Sequence, residues 1–109
     1  MSEHDTSTGR RVVHDATGRS YRLYAGDVEL SHADYREVED DAGHTRWVFH
    51  HTYTYPEHRG HGYADEVVRA ALDDVAARGL HVTPRCWVVA DVIAATPAYH
   101  SLLARPTKG

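Results

Sequence analysis

The order of periodicities along the chain predicts an α+β domain (an α/β sandwich in some conventions): a mixed, mostly antiparallel sheet with two main helices. Three observations carry this. Alternating apolar residues fill residues 11–55. The period switches to that of a helix just after Gly60, and a short alternating run then precedes a second helical segment.

Taken in order, residues 1–10 ("MSEHDTSTGR") carry no apolar period and are expected to be a flexible tail ahead of one domain over 11–109. "RVVHD" is a short β-rich run, and "ATGR" punctuates it as a turn. Tyr21, Leu23 and Ala25 alternate, Gly26-Asp27 turns the chain, and Val28 and Leu30 alternate again, so this stretch reads as a hairpin. After the turn "DDAGH", the run "TRWVFHHTYTY" is dense in β-branched and aromatic residues and is stopped by Pro56. Ala64, Val67, Val68, Ala71, Leu72, Val75 and Ala76 form an unbroken stripe at helical spacing. Asp65 and Glu66 sit in its first turn, and Gly79 suits its C-terminal cap. "LHVTPR" reads as a strand, "WVVADVIAA" as a helix ended by Thr96-Pro97, and "AYHSLLA" as a last helical turn or two. Trp87 and the helix stripe are assigned to the core. Strand, helix and strand from 46 to 85 predict a parallel, right-handed crossover.

The 109 residues suffice for one modest core. A net charge of −4 speaks against a general nucleic-acid binder, whose affinity comes from cations on phosphates. Eleven arginines and one lysine still leave room for a local anion site. Cys86 is the only cysteine, which excludes an intramolecular disulfide and a multi-cysteine zinc knuckle. No apolar run is long enough to span a bilayer and the N-terminus is too polar for a signal peptide, so a cytoplasmic protein with no membrane partner is expected. The ten histidines show no H-E-x-x-H spacing. His50 and His51 point to opposite faces of a strand, His58 and His61 lack further ligands at metal spacing, and no metal is expected.

The stretch "FHHTYTYPEHRGHGYADE" is a strand that runs through a glycine-bearing loop into a helix. That arrangement cradles anions, because the first N–H groups of a helix lack partners and the helix dipole places partial positive charge there. Gly60 and Gly62 would admit close approach and Arg59 adds a fixed charge. Glycine pairs before helices also serve simply as turns.

"RGHGYA" resembles the acetyl-CoA pyrophosphate loop of the GCN5-related N-acetyltransferases, patterned Gln/Arg-x-x-Gly-x-Gly/Ala, with Arg59, Gly62 and Ala64 at the patterned positions. The blocks "HTYTYPEHRGHG", "PRCW" and "TPAYHSLL" are similar in order and spacing to a branch of short, single-domain members sometimes called the YjdJ type. The resemblance covers residues 19–103. It implies a twisted sheet whose fourth and fifth strands, in the family's count, splay apart around acetyl-CoA. It also implies that the helix pair found between the first strands of larger relatives is missing here. Thr52, Tyr53 and Thr54 would meet the pantetheine arm, and Arg59, Gly60, His61, Gly62, Tyr63 and Ala64 the pyrophosphate. The implied activity is acetyl transfer to an unidentified amine by a monomer or weak homodimer. The family's "HTE" acid is Tyr53 here, and the Glu of its "HPEY" turn is Ala98.

Transfer to an amine needs a base and a donor for the departing thiolate. Cys86 follows a strand end beside the implied splay, where it would line the site or take the acetyl group first; a buried structural thiol is the other reading. His51 is the candidate base, with a hydrogen-bonded structural histidine as the alternative. Strand alternation puts it on one face with Trp47, Phe49, Tyr53 and Tyr55, and its strand is expected to lie beside that of Cys86. Tyr99 would donate a proton or simply pack. A non-catalytic CoA or acyl-CoA binding module is the competing function, favoured by Tyr53 in place of the acid.

Overall fold

The computed structural model describes the backbone of residues 2–5 and the whole of residues 9–103. Six strands follow one another across a single sheet in chain order: β1 Ser2–Asp5, β2 Arg10–Asp15, β3 Ser20–Ala25, β4 Val28–Glu39, β5 Thr45–Thr54 and β6 His81–Pro84. The first five pair antiparallel, and β5 and β6 pair parallel. Helix α1, Tyr63–Ala77, makes the crossover between the parallel strands, and α2, Trp87–Ala95, follows β6. Short 3₁₀ turns occupy Pro56–His58 and Pro97–Leu102.

The N-terminus departs from the tail expected over residues 1–10. Ser2–Asp5 lies along β2 as an edge strand, and Arg10 opens β2. Edge pairing uses backbone hydrogen bonds and needs no apolar period, so the sequence carried no signal for it. Met1, residues 6–8 and residues 104–109 lie outside the described residues.

Gly26-Asp27 alone joins β3 to β4, so no helix pair intervenes there. Both helices pack on one face of the sheet. There Val12, Tyr21, Leu23, Tyr35, Trp47 and Phe49 meet the α1 stripe Val67, Val68, Ala71, Leu72 and Val75. From α2, Val89, Val92 and Ile93 join them, at the i, i+3, i+4 spacing of one helix face. Trp87 lies two residues, about 200°, from Val89 around the helix. It therefore points to solvent and is 74% exposed, correcting its assignment to the core.

Within the core a polar knot ties the end of α1 to the sheet. The Tyr21 hydroxyl donates to Asp74 Oδ2 at 2.5 Å, and Arg78 Nε donates to the same oxygen at 2.8 Å. Arg78 also donates to His14 Nδ1 at 3.1 Å, which assigns the His14 proton to Nε2, the atom 2.6 Å from the Tyr35 hydroxyl. Burial pushes the His14 imidazole below its ordinary pKa, and the Arg78 charge pushes the same way. Burial would raise the Asp74 carboxyl, but hydrogen bonds from Tyr21 and Arg78 outweigh it and hold the group below its usual value. Tyr35 is pushed up to about 12, chiefly by burial.

Candidate active site

The parallel pairing of β5 and β6 ends at Phe49 and Pro84. The Phe49 carbonyl closes the pair by accepting from the N–H groups of both Arg85 and Cys86, at 2.9 and 3.0 Å. Beyond that point the strands part. β5 continues to Thr54 beside β4 alone, while the chain after β6 turns into α2. The result is a V with Cys86 at its apex.

A bulge at His50 decides which groups face this V. On β4 the neighbours Asp34 and Tyr35 pair with His51 and Phe49, so His50 has no partner in the register. The extra residue reverses the alternation. Trp47 and Phe49 face the helices, whereas His51 and Tyr53 face the opposite, helix-free side, opposite Asp34 and His32. Thr52, paired with the buried Ala33, faces the helix side. Backbone directions follow the same logic. Tyr55 N–H donates to Leu30 on β4, so the Tyr53 backbone also turns to β4 while Thr52 and Thr54 turn into the V. The Thr54 carbonyl there accepts Arg59 Nε at 2.9 Å.

This geometry corrects the expected pairing of Cys86 with His51. The Cys86 thiol, half-buried, donates to Thr52 Oγ1 at 3.3 Å on the helix side. His51 is exposed on the other face, its ring 5.8 Å from that of His32 and 6.2 Å from that of Tyr53. Strict alternation had placed His51 with Trp47 and Phe49, and one unpaired residue undoes that. The Tyr99 hydroxyl donates to Asp73 Oδ1 at 2.8 Å, and burial pushes its pKa up to about 12.

The loop after β5 delivers α1 to the mouth of the V. Arg59 lies over the Tyr53 ring, 5.5 Å from its centroid. Gly60 and Gly62 adopt φ of +86° and +78°, conformations that residues with a Cβ rarely take. Gly62 is the N-cap, no side chain caps the helix, and the first helical bond runs from Glu66 N–H to the Gly62 carbonyl. The N–H groups of Tyr63, Ala64 and Asp65 therefore precede the helix's own ladder. The acids of that turn are neutralised locally, Asp65 by Arg69 at 2.7 Å and Glu66 by Arg10 at 2.9 Å. His61 stacks on Tyr63 at 5.3 Å, and Arg10 covers the Tyr63 ring at 5.1 Å. A groove of about 450 Å³ runs from Gly62, Ala64 and Asp65 along α1 to Trp87, Val88 and Val92 of α2. The arrangement therefore offers backbone donors and partial positive charge at one end, an apolar wall along the side and a thiol at the apex.

The sequence profile described as GCN5-related N-acetyl-transferase matches residues 20–102. The chain belongs to that family. Its fold is shared by a ribosomal-protein-alanine N-acetyltransferase from Brucella melitensis (TM-score 0.54, 12% identity), covering 94% of this chain and 66% of that one. It is shared as well by an aminoglycoside acetyltransferase from an uncultured soil metagenomic sample (TM-score 0.54, 15% identity), covering 82% and 60%. The chain thus spans at most about two thirds of the length of these two structures. No curated protein matches it in sequence. Among the described residues no helix is long and apolar enough to cross a membrane.

The open face held what the sequence reading missed. His32, Asp34 and Glu29 stand on β4 beside His51, Tyr53 and Tyr55, and Glu29 Oε2 accepts the Tyr55 hydroxyl at 2.8 Å. Position 53 carries no acid, yet the neighbouring strand brings two carboxylates to the same face. Period 2 along β4 puts His32 and Asp34 on one side, whereas Glu29 joins them only because the register with β3 skips Leu30, and only the register with β5 shows what they oppose.

Proposed function

We propose that the protein transfers an acetyl group from acetyl-CoA to an amine. The observation that carries this is the V between β5 and β6, with the uncapped α1 N-terminus at its mouth. In this reading the N–H groups of residues 62–65 hold the pyrophosphate, assisted by Arg59, Gly60 and His61 in the loop. Thr52 and Thr54 offer backbone groups to the pantetheine, and the cofactor occupies the groove between α1 and α2. With the helix side filled, the amine approaches from the helix-free face, where no helix pair shapes an acceptor pocket.

The amine nitrogen attacks the thioester carbonyl, forming the C–N bond. Collapse of the tetrahedral species breaks the C–S bond and releases CoA thiolate. His51 accepts the proton lost by the amine, and the Cys86 thiol at the apex donates one to the thiolate. The separation of Cys86 and His51 by the thickness of β5 favours this direct attack over an acyl-cysteine route driven by a Cys–His pair. Cys86 nevertheless stands at the apex where the thioester would arrive, so transfer through Cys86 is the variant of the mechanism to test. Tyr53 in place of the family acid favours the other reading, a CoA-binding module without catalysis.

Calorimetric titration of CoA into wild type and Gly62→Glu tests the cradle. The carboxylate is expected to weaken binding by roughly tenfold or more, ~1.4 kcal/mol, with unchanged circular dichroism as the control for folding. Equal affinities would remove the cradle. Free-thiol release from acetyl-CoA across a panel of small amines, polyamines and peptides tests catalysis, and none with any amine leaves the binding module. An acetyl adduct in intact mass that Cys86→Ala abolishes establishes the covalent route.

A further inference from the structure

On the helix-free face, His32, Asp34 and His51 each place a ligand atom within 4.8 Å of the other two. His32 and Asp34 are two residues apart on β4, and Asp34 pairs across to His51 on β5. The carboxylate is held in place. Asp34 Oδ1 accepts from Ser20 Oγ at 2.7 Å and lies 2.9 Å from His32 Nδ1. Supporting contacts of this kind fix the orientation of metal ligands. No such site was expected from sequence, because His50, His51, His58 and His61 supply no set of three. The partners of His51 come from another strand, about twenty residues earlier.

We infer that His32, Asp34 and His51 form a binding site for a divalent first-row transition ion of the zinc class, with a fourth position open to solvent. Two imidazoles and one carboxylate suit zinc, nickel or copper better than the oxygen-seeking magnesium or calcium. Ligand bonds of about 2.0–2.1 Å around a tetrahedral ion require donor atoms about 3.3 Å apart. The His32–Asp34 pair is already near that spacing, and the ion replaces the proton between them. His51 is an exposed side chain and closes the remaining gap, at most about 1.5 Å, by rotation. The site does not depend on acetyl transfer. If the proposed chemistry holds, the ion occupies the His51 lone pair that would accept the amine proton, and so inhibits it.

Titration of zinc chloride into metal-free protein, followed by calorimetry, reads the site directly. One saturable equivalent is expected. His51→Ala and His32→Ala should each weaken it at least about tenfold, and His50→Ala should leave it unchanged. Cobalt substitution should give the visible bands of a tetrahedral ion, lost in His51→Ala, whose exposed position spares the fold. Ser20→Ala should weaken binding about tenfold through the loosened carboxylate. No saturable binding at about 0.1 mM zinc overturns the site, as does binding that His51→Ala and His32→Ala leave unchanged.

Discussion

Tyr21→Phe removes one oxygen from the middle of the core and leaves the ring's shape intact. Tyr21 is fully buried, and its hydroxyl donates to Asp74 Oδ2, as does Arg78 Nε. The Asp74 side chain is 12% exposed, so water replaces the lost donor poorly. A hydrogen bond to a charged group contributes about 1.5–3 kcal/mol, and the substitution should cost roughly 2 kcal/mol. For a domain of this size that lowers Tm by roughly 8 °C or more.

The loss also has a pH signature. With its folded pKa held low, Asp74 contributes stability that is present above the ordinary carboxylate range and lost as pH falls through that folded value. Without the Tyr21 donor the folded pKa climbs, so the deficit is largest near neutrality and narrows in acid. Urea denaturation of wild type and Tyr21→Phe at pH 7.5 and near pH 4 measures both effects. A deficit under about 0.5 kcal/mol at pH 7.5, or one that does not change with pH, would refute the assignment of the knot as a stabilising anchor for α1.

His14 is held neutral by burial and by Arg78, with Asp74, Asp15 and Glu37 opposing them. Its folded pKa lies below its unfolded one, so the unfolded chain takes up a proton first, and stability should fall as pH drops below about 6.5. One such proton contributes at most about 1.4 kcal/mol per pH unit, and denaturation midpoints between pH 7.5 and 5.5 should show a slope that His14→Gln flattens. Trp87→Ala should change stability by no more than about 0.5 kcal/mol, since the side chain is largely in solvent. Because Trp87 lines the groove, CoA should change its fluorescence, a response that Trp87→Phe removes while the buried Trp47 still emits.

What the sequence determined by itself was whatever repeats at short range. The step from period 2 before Pro56 to period 3.6 after Gly62 located β5, the loop and α1, because each pattern is set by the geometry of its own element. Gly60 and Gly62 marked the loop that leads into α1, and Gly26-Asp27 the tight turn of a hairpin. The tertiary structure decided the rest. The bulge at His50 leaves no mark in composition, yet it turns His51 away from Cys86 and toward His32 and Asp34. Trp87 reads as core by hydropathy and is exposed because the buried face of α2 is set by Val89, Val92 and Ile93. Which residues share an element is a local property of the chain, whereas which residues meet across the sheet depends on strand register, and a single unpaired residue in β5 resets that register.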